Sequence, residues 1–97
     1  MIKHIVMIKL KDGYDEQRLQ SVIEGLNAFP QQIPQIISLS YGKDAGVTDG
    51  KYDFGVVAEF ASKEDCLAYL AHPAHIALGS ELMEILADAA SMQFNAN

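Results

Sequence analysis

The order in which hydrophobic periodicities change along the chain constrains its fold more than any single motif. Residues 2–11 alternate with period two. Ile2, His4, Val6, Ile8 and Leu10 fall on one side of a strand, and Lys3, Ile5, Met7, Lys9 and Lys11 on the other. Asp12-Gly13 closes it. From Asp15 to about Phe29 the period becomes helical, with Leu19, Val22, Ile23, Leu26 and Phe29 on one stripe and the acids Asp15 and Glu16 in the first turn. Pro30 and Pro34 are expected to end this helix and lead into an isoleucine-rich strand from Gln35 to about Lys43. Residues 44–50 carry Gly46, Gly50, Asp44, Asp49 and Thr48, the composition of a surface loop. Tyr52 to Phe60 alternates again. Ser62, with Asp65 at the capping-box spacing, opens a helix that ends near Ala71. A further helix is expected from Pro73 to about Ala87, with Ile76, Leu82, Met83 and Leu86 facing inward, and a last short strand from Ser91 to Asn95.

Strand–helix–strand–strand–helix–strand is the order of an α+β, ferredoxin-like βαββαβ domain, a four-stranded antiparallel sheet with its helices on one face. One domain spans residues 1–97. Val6, Ile8, Phe54, Val56 and Phe60 make the more apolar sheet face, which is assigned to the helices and carries His4. The opposite face is expected to hold Ile5, Met7, Gly55 and Val57, joined by Ile37, Leu39 and Tyr41 from the second strand. So much apolar surface predicts a homodimer formed through the sheet face.

Charge and composition exclude several functions. Thirteen acidic against seven basic residues give a net charge of −6, which repels phosphate backbones, so no nucleic-acid partner is expected. No apolar run approaches the ~20 residues of a membrane span, and the Met1 end lacks a signal-peptide pattern. The single cysteine, Cys66, cannot form an internal disulfide, which is compatible with a reducing cytoplasm, the expected location. Its place on a helix pattern suits packing better than nucleophilic attack.

The candidate chemistry lies in Tyr69-Leu70-Ala71-His72-Pro73-Ala74-His75, which holds two of the three histidines of the chain. Pro73 suits the first turn of a helix and pushes His72 toward extended backbone. His75 then falls near the positive end of the helix dipole, which disfavours imidazolium, and a neutral imidazole can act as a general base. Tyr69 and the inward-facing strand residue His4 are the groups most able to meet it. Each has a plainer alternative: His75 as a helix-start residue bonding a backbone group, His72 as a turn-former, His4 and Tyr69 as satisfied core residues. A zinc site from His72, His75 and His4 is disfavoured because Pro73 interrupts the helix between the first two and no carboxylate stands ready to orient them. Gly42 to Gly50 lacks phosphate-loop spacing, and Ser38, Ser40 and Ser62 lack a nucleophile-elbow context. No cofactor and no metal are expected.

Several segments together resemble the stress-responsive α/β-barrel domain family. They are Lys3-His4-Ile5-Val6, Ile33-Pro34, Tyr41-Gly42-Lys43-Asp44, Tyr52-Asp53, Phe60-Ala61-Ser62-Lys63-Glu64-Asp65, and Tyr69 followed by His72-Pro73-Ala74-His75. The resemblance covers nearly the whole chain. It implies a ferredoxin-like protomer whose sheet pairs with that of a second copy to close a dimeric α/β barrel. One plant member of the family is a cofactor-free cyclase that closes a linear polyketide by aldol condensation. Its strand histidine matches His4, and its pocket tyrosine and basic histidine match Tyr69 and His75. Its first-helix tyrosine has no counterpart in Val22-Ile23-Glu24-Gly25-Leu26-Asn27-Ala28-Phe29, which implies a pocket of different shape and polarity. Two functional classes follow. One is a cofactor-free cyclase or lyase-type enzyme acting on a carbonyl or polyketide-like ligand. The other is a non-catalytic small-molecule-binding or stress-associated structural dimer.

Overall fold

The computed structural model describes residues 1–96. Seven elements follow in the order β1 (Ile2–Leu10), α1 (Glu16–Gln32), β2 (Ser38–Lys43), β3 (Phe54–Phe60), α2 (Lys63–Ala71), α3 (Pro73–Met83) and β4 (Leu86–Asn95). The strands form one sheet in the order β2-β3-β1-β4, every pair antiparallel. This is the ferredoxin-like architecture.

Directly paired residues share a face, so the register assigns the two sides of the sheet. His4 pairs with Ala58 and Gln93, Val6 with Val56 and Ser91, and Ile8 with Phe54 and Ala89, all on the helix side. Phe29, Phe60, Leu19, Ile33 and Val22 are sealed in the core between that side and the helices. Ile5 pairs with Val57 and Met92, and Met7 with Gly55 and Ala90, on the side no helix covers. β3 alternates buried and half-buried residues along its whole length, as its sequence predicts.

The structure departs from the sequence expectations at several places; β2 begins at Ser38 and not at Gln35, so Ile37 precedes it, and the others have tertiary reasons. Leu39 pairs with Ala58 and Tyr41 with Val56, so both lie on the helix side rather than the bare one. Tyr41 stacks on Phe54 with ring centroids 6.4 Å apart. The bare face instead gains Met92 and Phe94 from β4. Pro30 does not end α1. The helix runs on to Gln32, and the Ile33 N–H donates to the Phe29 carbonyl at 2.8 Å. Phe29 and Ile33, both buried, hold this last turn against the core and outweigh the local helix-breaking tendency of proline.

The inward stripe of α3 is out of phase with the one expected. Ile76 and Met83 face solvent, and Ala74 and Leu78 pack toward the core in their place, while Leu82 and Leu86 turn inward as expected. Finally, α3 stops at Met83 and β4 begins at Leu86, earlier than alanine-rich sequence suggests. Buried Ile85 anchors the turn: its N–H donates to the Leu82 carbonyl, and its own carbonyl accepts from Lys11 N–H at 2.8 Å. Pairing with β1 then draws residues 86–90 into the sheet, with a register shift between Lys9 and Leu10.

Candidate functional site

The site begins with how two short helices are joined. Ser62 Oγ accepts from the Asp65 N–H at 3.2 Å and fixes the start of α2. From there Cys66 and Tyr69, three residues apart, turn inward and are buried. His72 ends α2 and begins α3 at once. Its backbone is extended (φ −66°, ψ 137°), as the residue before a proline prefers. Its N–H donates to the Tyr69 carbonyl at 3.1 Å, and its Nδ1 accepts from the Ala74 N–H at 3.0 Å. His72 is therefore a capping residue whose ring is committed to the turn. That turn sets His75 beside Tyr69.

The three side chains singled out in the sequence meet. The Tyr69 and His75 rings are 4.6 Å apart between centroids, and the His4 and Tyr69 rings 6.0 Å. Phe29 and Phe60 back Tyr69 at 5.9 and 4.9 Å. All three polar side chains line a cleft of about 290 Å³ between α1, α3 and the inner side of the sheet. Its apolar walls include Val22 and Leu26 from α1, Leu78 and Leu82 from α3, and Val6 and Val56 from the sheet. Ala89 and Ser91 on the exposed inner side of β4 form its open rim.

Burial shapes the protonation of the trio. It lowers the pKa of His4, and the neighbouring His75 lowers it further, because two adjacent imidazolium ions repel. Burial is also the largest cause lowering the pKa of His75. Desolvation keeps that ring neutral. The backbone of Leu70 pulls weakly the other way, toward the protonated ring. The neutral ring keeps one unprotonated nitrogen with a lone pair. Tyr69 is pushed up to about 12, chiefly by burial and then by Cys66, so its hydroxyl stays protonated and able to donate. Burial likewise raises Cys66 and keeps it a thiol, which suits packing rather than attack. A neutral base beside a protonated phenol can move a proton from carbon while stabilising the oxygen that takes up the charge.

Among the described residues no group of three His, Cys, Asp or Glu side chains is gathered to hold a metal ion. No helix among them is long and apolar enough to cross a membrane. A larger cavity of about 540 Å³ lies toward the start of α2, walled by Ile2, Cys66, Leu70 and Gln93 among others. Gln93 went unrecognised in the sequence. It faces the cleft's His4 only because of the β1–β4 register, which strand alternation alone does not disclose.

A four-stranded antiparallel sheet with one bare face, helices on the other, and a polar-ended cleft beneath them defines the ferredoxin-like class of small α+β domains. The chain belongs to the stress-responsive A/B barrel domain family, whose model matches residues 2–96. It is 29% identical over 77 residues to the stress-response A/B barrel domain-containing protein HS1 of Arabidopsis thaliana, covering 77% of this chain and 71% of HS1. It is 26% identical over 80 residues to olivetolic acid cyclase of Cannabis sativa, covering 80% of this chain and 79% of the cyclase. A solved structure from Thermobifida fusca, described as a dimeric ferredoxin-like protein of unknown function, superposes with a TM-score of 0.88 at 33% identity, covering 98% of this chain and 90% of that one.

Proposed function

We propose that this protein is a cofactor-free enzyme of the cyclase or lyase type, acting as a homodimer on a small carbonyl or polyketide-like ligand. The observation that carries the reading is the 4.6 Å approach of a neutral, half-buried His75 to a protonated Tyr69 in an open cleft. In the proposed reaction the free ring nitrogen of His75 takes a proton from the carbon next to a ligand carbonyl. The C–H electron pair becomes the enolate double bond, and the carbonyl oxygen carries the charge against the Tyr69 hydroxyl. The enolate carbon then attacks a second carbonyl of the same molecule, and the new alkoxide recovers the proton from the His75 imidazolium. Run in reverse, the same steps break a carbon–carbon bond. His4 orients the ligand. The cleft volume of about 290 Å³ suits a small molecule. Similarity to olivetolic acid cyclase supports the carbonyl class, and the absence of a tyrosine from Val22 to Phe29 argues for a substrate of its own.

The homodimer forms through the bare sheet face, a reading supported by the dimeric Thermobifida relative. A lone buried thiol, Cys66, fits residence in the reducing cytoplasm.

Proton exchange tests the chemistry without knowledge of the natural substrate. An alkyl 3-oxoacyl thioester in D2O, followed by NMR, should lose its α-proton signal faster with the protein than without it. His75→Ala should return the rate to background and Cys66→Ala should leave it unchanged. Saturable binding of the thioester with no acceleration would sink the enzyme reading in favour of a binding protein.

A further inference from the structure

Gln93 lies directly opposite His4 in the β1–β4 register, on the helix side of the sheet, and its amide nitrogen is 2.7 Å from His4 Nδ1. An amide nitrogen only donates, so Nδ1 accepts, and the neutral imidazole carries its proton on Nε2. Among the described residues Gln35 Oε1 is the only sealed side-chain oxygen or nitrogen without a partner. His4 Nε2, which bonds no other side chain among them, therefore opens on the cleft that His4 lines.

We propose that Gln93 is a positioning residue that fixes the tautomer of His4. By donating to Nδ1 it makes His4 an Nε2–H hydrogen-bond donor toward a ligand oxygen in the cleft it shares with His75. The control of the tautomer stands on geometry alone, whereas the donor role rests on the carbonyl-ligand reading above. A carboxylate in place of the amide would reverse the arrangement, because it accepts, drawing the proton to Nδ1 and favouring imidazolium. Among the described residues no carboxylate or ammonium lines the cleft. The titratable groups packed about His4 are Tyr69, with Cys66 beside it, on α2 and His75 on α3. β3 contributes Ala58, and β4 contributes Gln93 itself.

Long-range 1H–15N correlation on the full, 15N-labelled chain reads the tautomer directly. Wild-type His4 should show the Nε2–H pattern. Gln93→Leu should leave a mixture of the two tautomers. Gln93→Glu should move the proton to Nδ1 and make His4 titrate at least about one pH unit higher, while the His75 signals keep their pattern. Gln93 also borders the 540 Å³ cavity, so neither substitution has to repack a closed core. A wild-type His4 in the Nδ1–H form, or one whose tautomer ignores Gln93→Leu, overturns the proposal, and the wild-type spectrum suffices should a variant fail to fold. In the thioester exchange assay Gln93→Glu should slow the reaction by roughly tenfold or more. An unchanged rate with a flipped tautomer overturns the donor role. A wild-type protein with the Nε2–H form and no exchange at all defeats the enzyme reading while tautomer control stands.

Discussion

At His4 and His75 burial has a measurable consequence for stability. Both rings have pKa values below the ordinary 6.5 of histidine because the apolar surroundings penalise the imidazolium form. The unfolded chain therefore takes up protons on these side chains at a pH where the folded chain does not. Stability owes nothing to this effect above about pH 6.5 and declines as the pH falls below it toward the folded-state values. Thermal unfolding should show a level Tm from about pH 8 to 6.5 and a falling one from there to about pH 5, above the range where most carboxylates titrate. His4→Gln should flatten part of that fall. A Tm that holds or rises on acidification through this window would contradict the burial of both rings. His4 was legible in the sequence because strand alternation sends it inward with Ile2 and Ile8. Gln93 was not, because its partner is 89 positions away and only the register joins them.

At the scale of elements, the contact between α1 and α3 decides the shape of the cleft. Gly25 sits inside α1, and a Cβ there would overlap Leu78 Cδ1 of α3, which lines the cleft. Alanine would ordinarily stabilise a helix interior by about 1 kcal/mol relative to glycine. Here that gain is partly offset, because Leu78 Cδ1, the end of a flexible side chain on an open cleft, must swing aside. Gly25→Ala should therefore stabilise the wild-type protein less than it stabilises a Leu78→Ala background, a coupling of up to about 1 kcal/mol in denaturant titrations of the four proteins. Additive effects would mean that the two helices do not meet at this point. The helical repeat of α1 was plain from Leu19, Val22, Leu26 and Phe29, all buried. The phase of α3 was not: it is apolar nearly all round, so no one stripe stands out, and its packing on α1 decides that Leu78 rather than Ile76 turns inward.

For the molecule as a whole, the bare sheet face sets the expected assembly. Ile5, Val57 and Met92 form one row across three strands on that face, with Met7 and Ala90 in the next. Covering it with a second copy should bury on the order of 800 Å² per subunit. Val57→Glu, at the centre of the row, should shift the protein from dimer to monomer in light scattering at micromolar concentration, because an unpaired charge in a dry interface is costly. An unchanged dimer would place the interface elsewhere. The variant's far-ultraviolet circular dichroism should stay native, since Val57 points away from the protomer core.

The succession of periods along the chain, together with the Ser62 cap and the His72-Pro73 step, determined by itself the element order, the ferredoxin-like plan and the inward turn of His4 and Tyr69. These features depend on residues near one another in sequence, whose spacing dictates which way each side chain points. Only the tertiary structure decided that Pro30 stays inside α1, that Leu39 and Tyr41 pack under the helices, that β4 starts at Leu86, and that Gln93 meets His4. Each of these turns on strand register or core burial, where contacts between distant segments outweigh the fraction of a kcal/mol to about 3 kcal/mol that local propensity supplies.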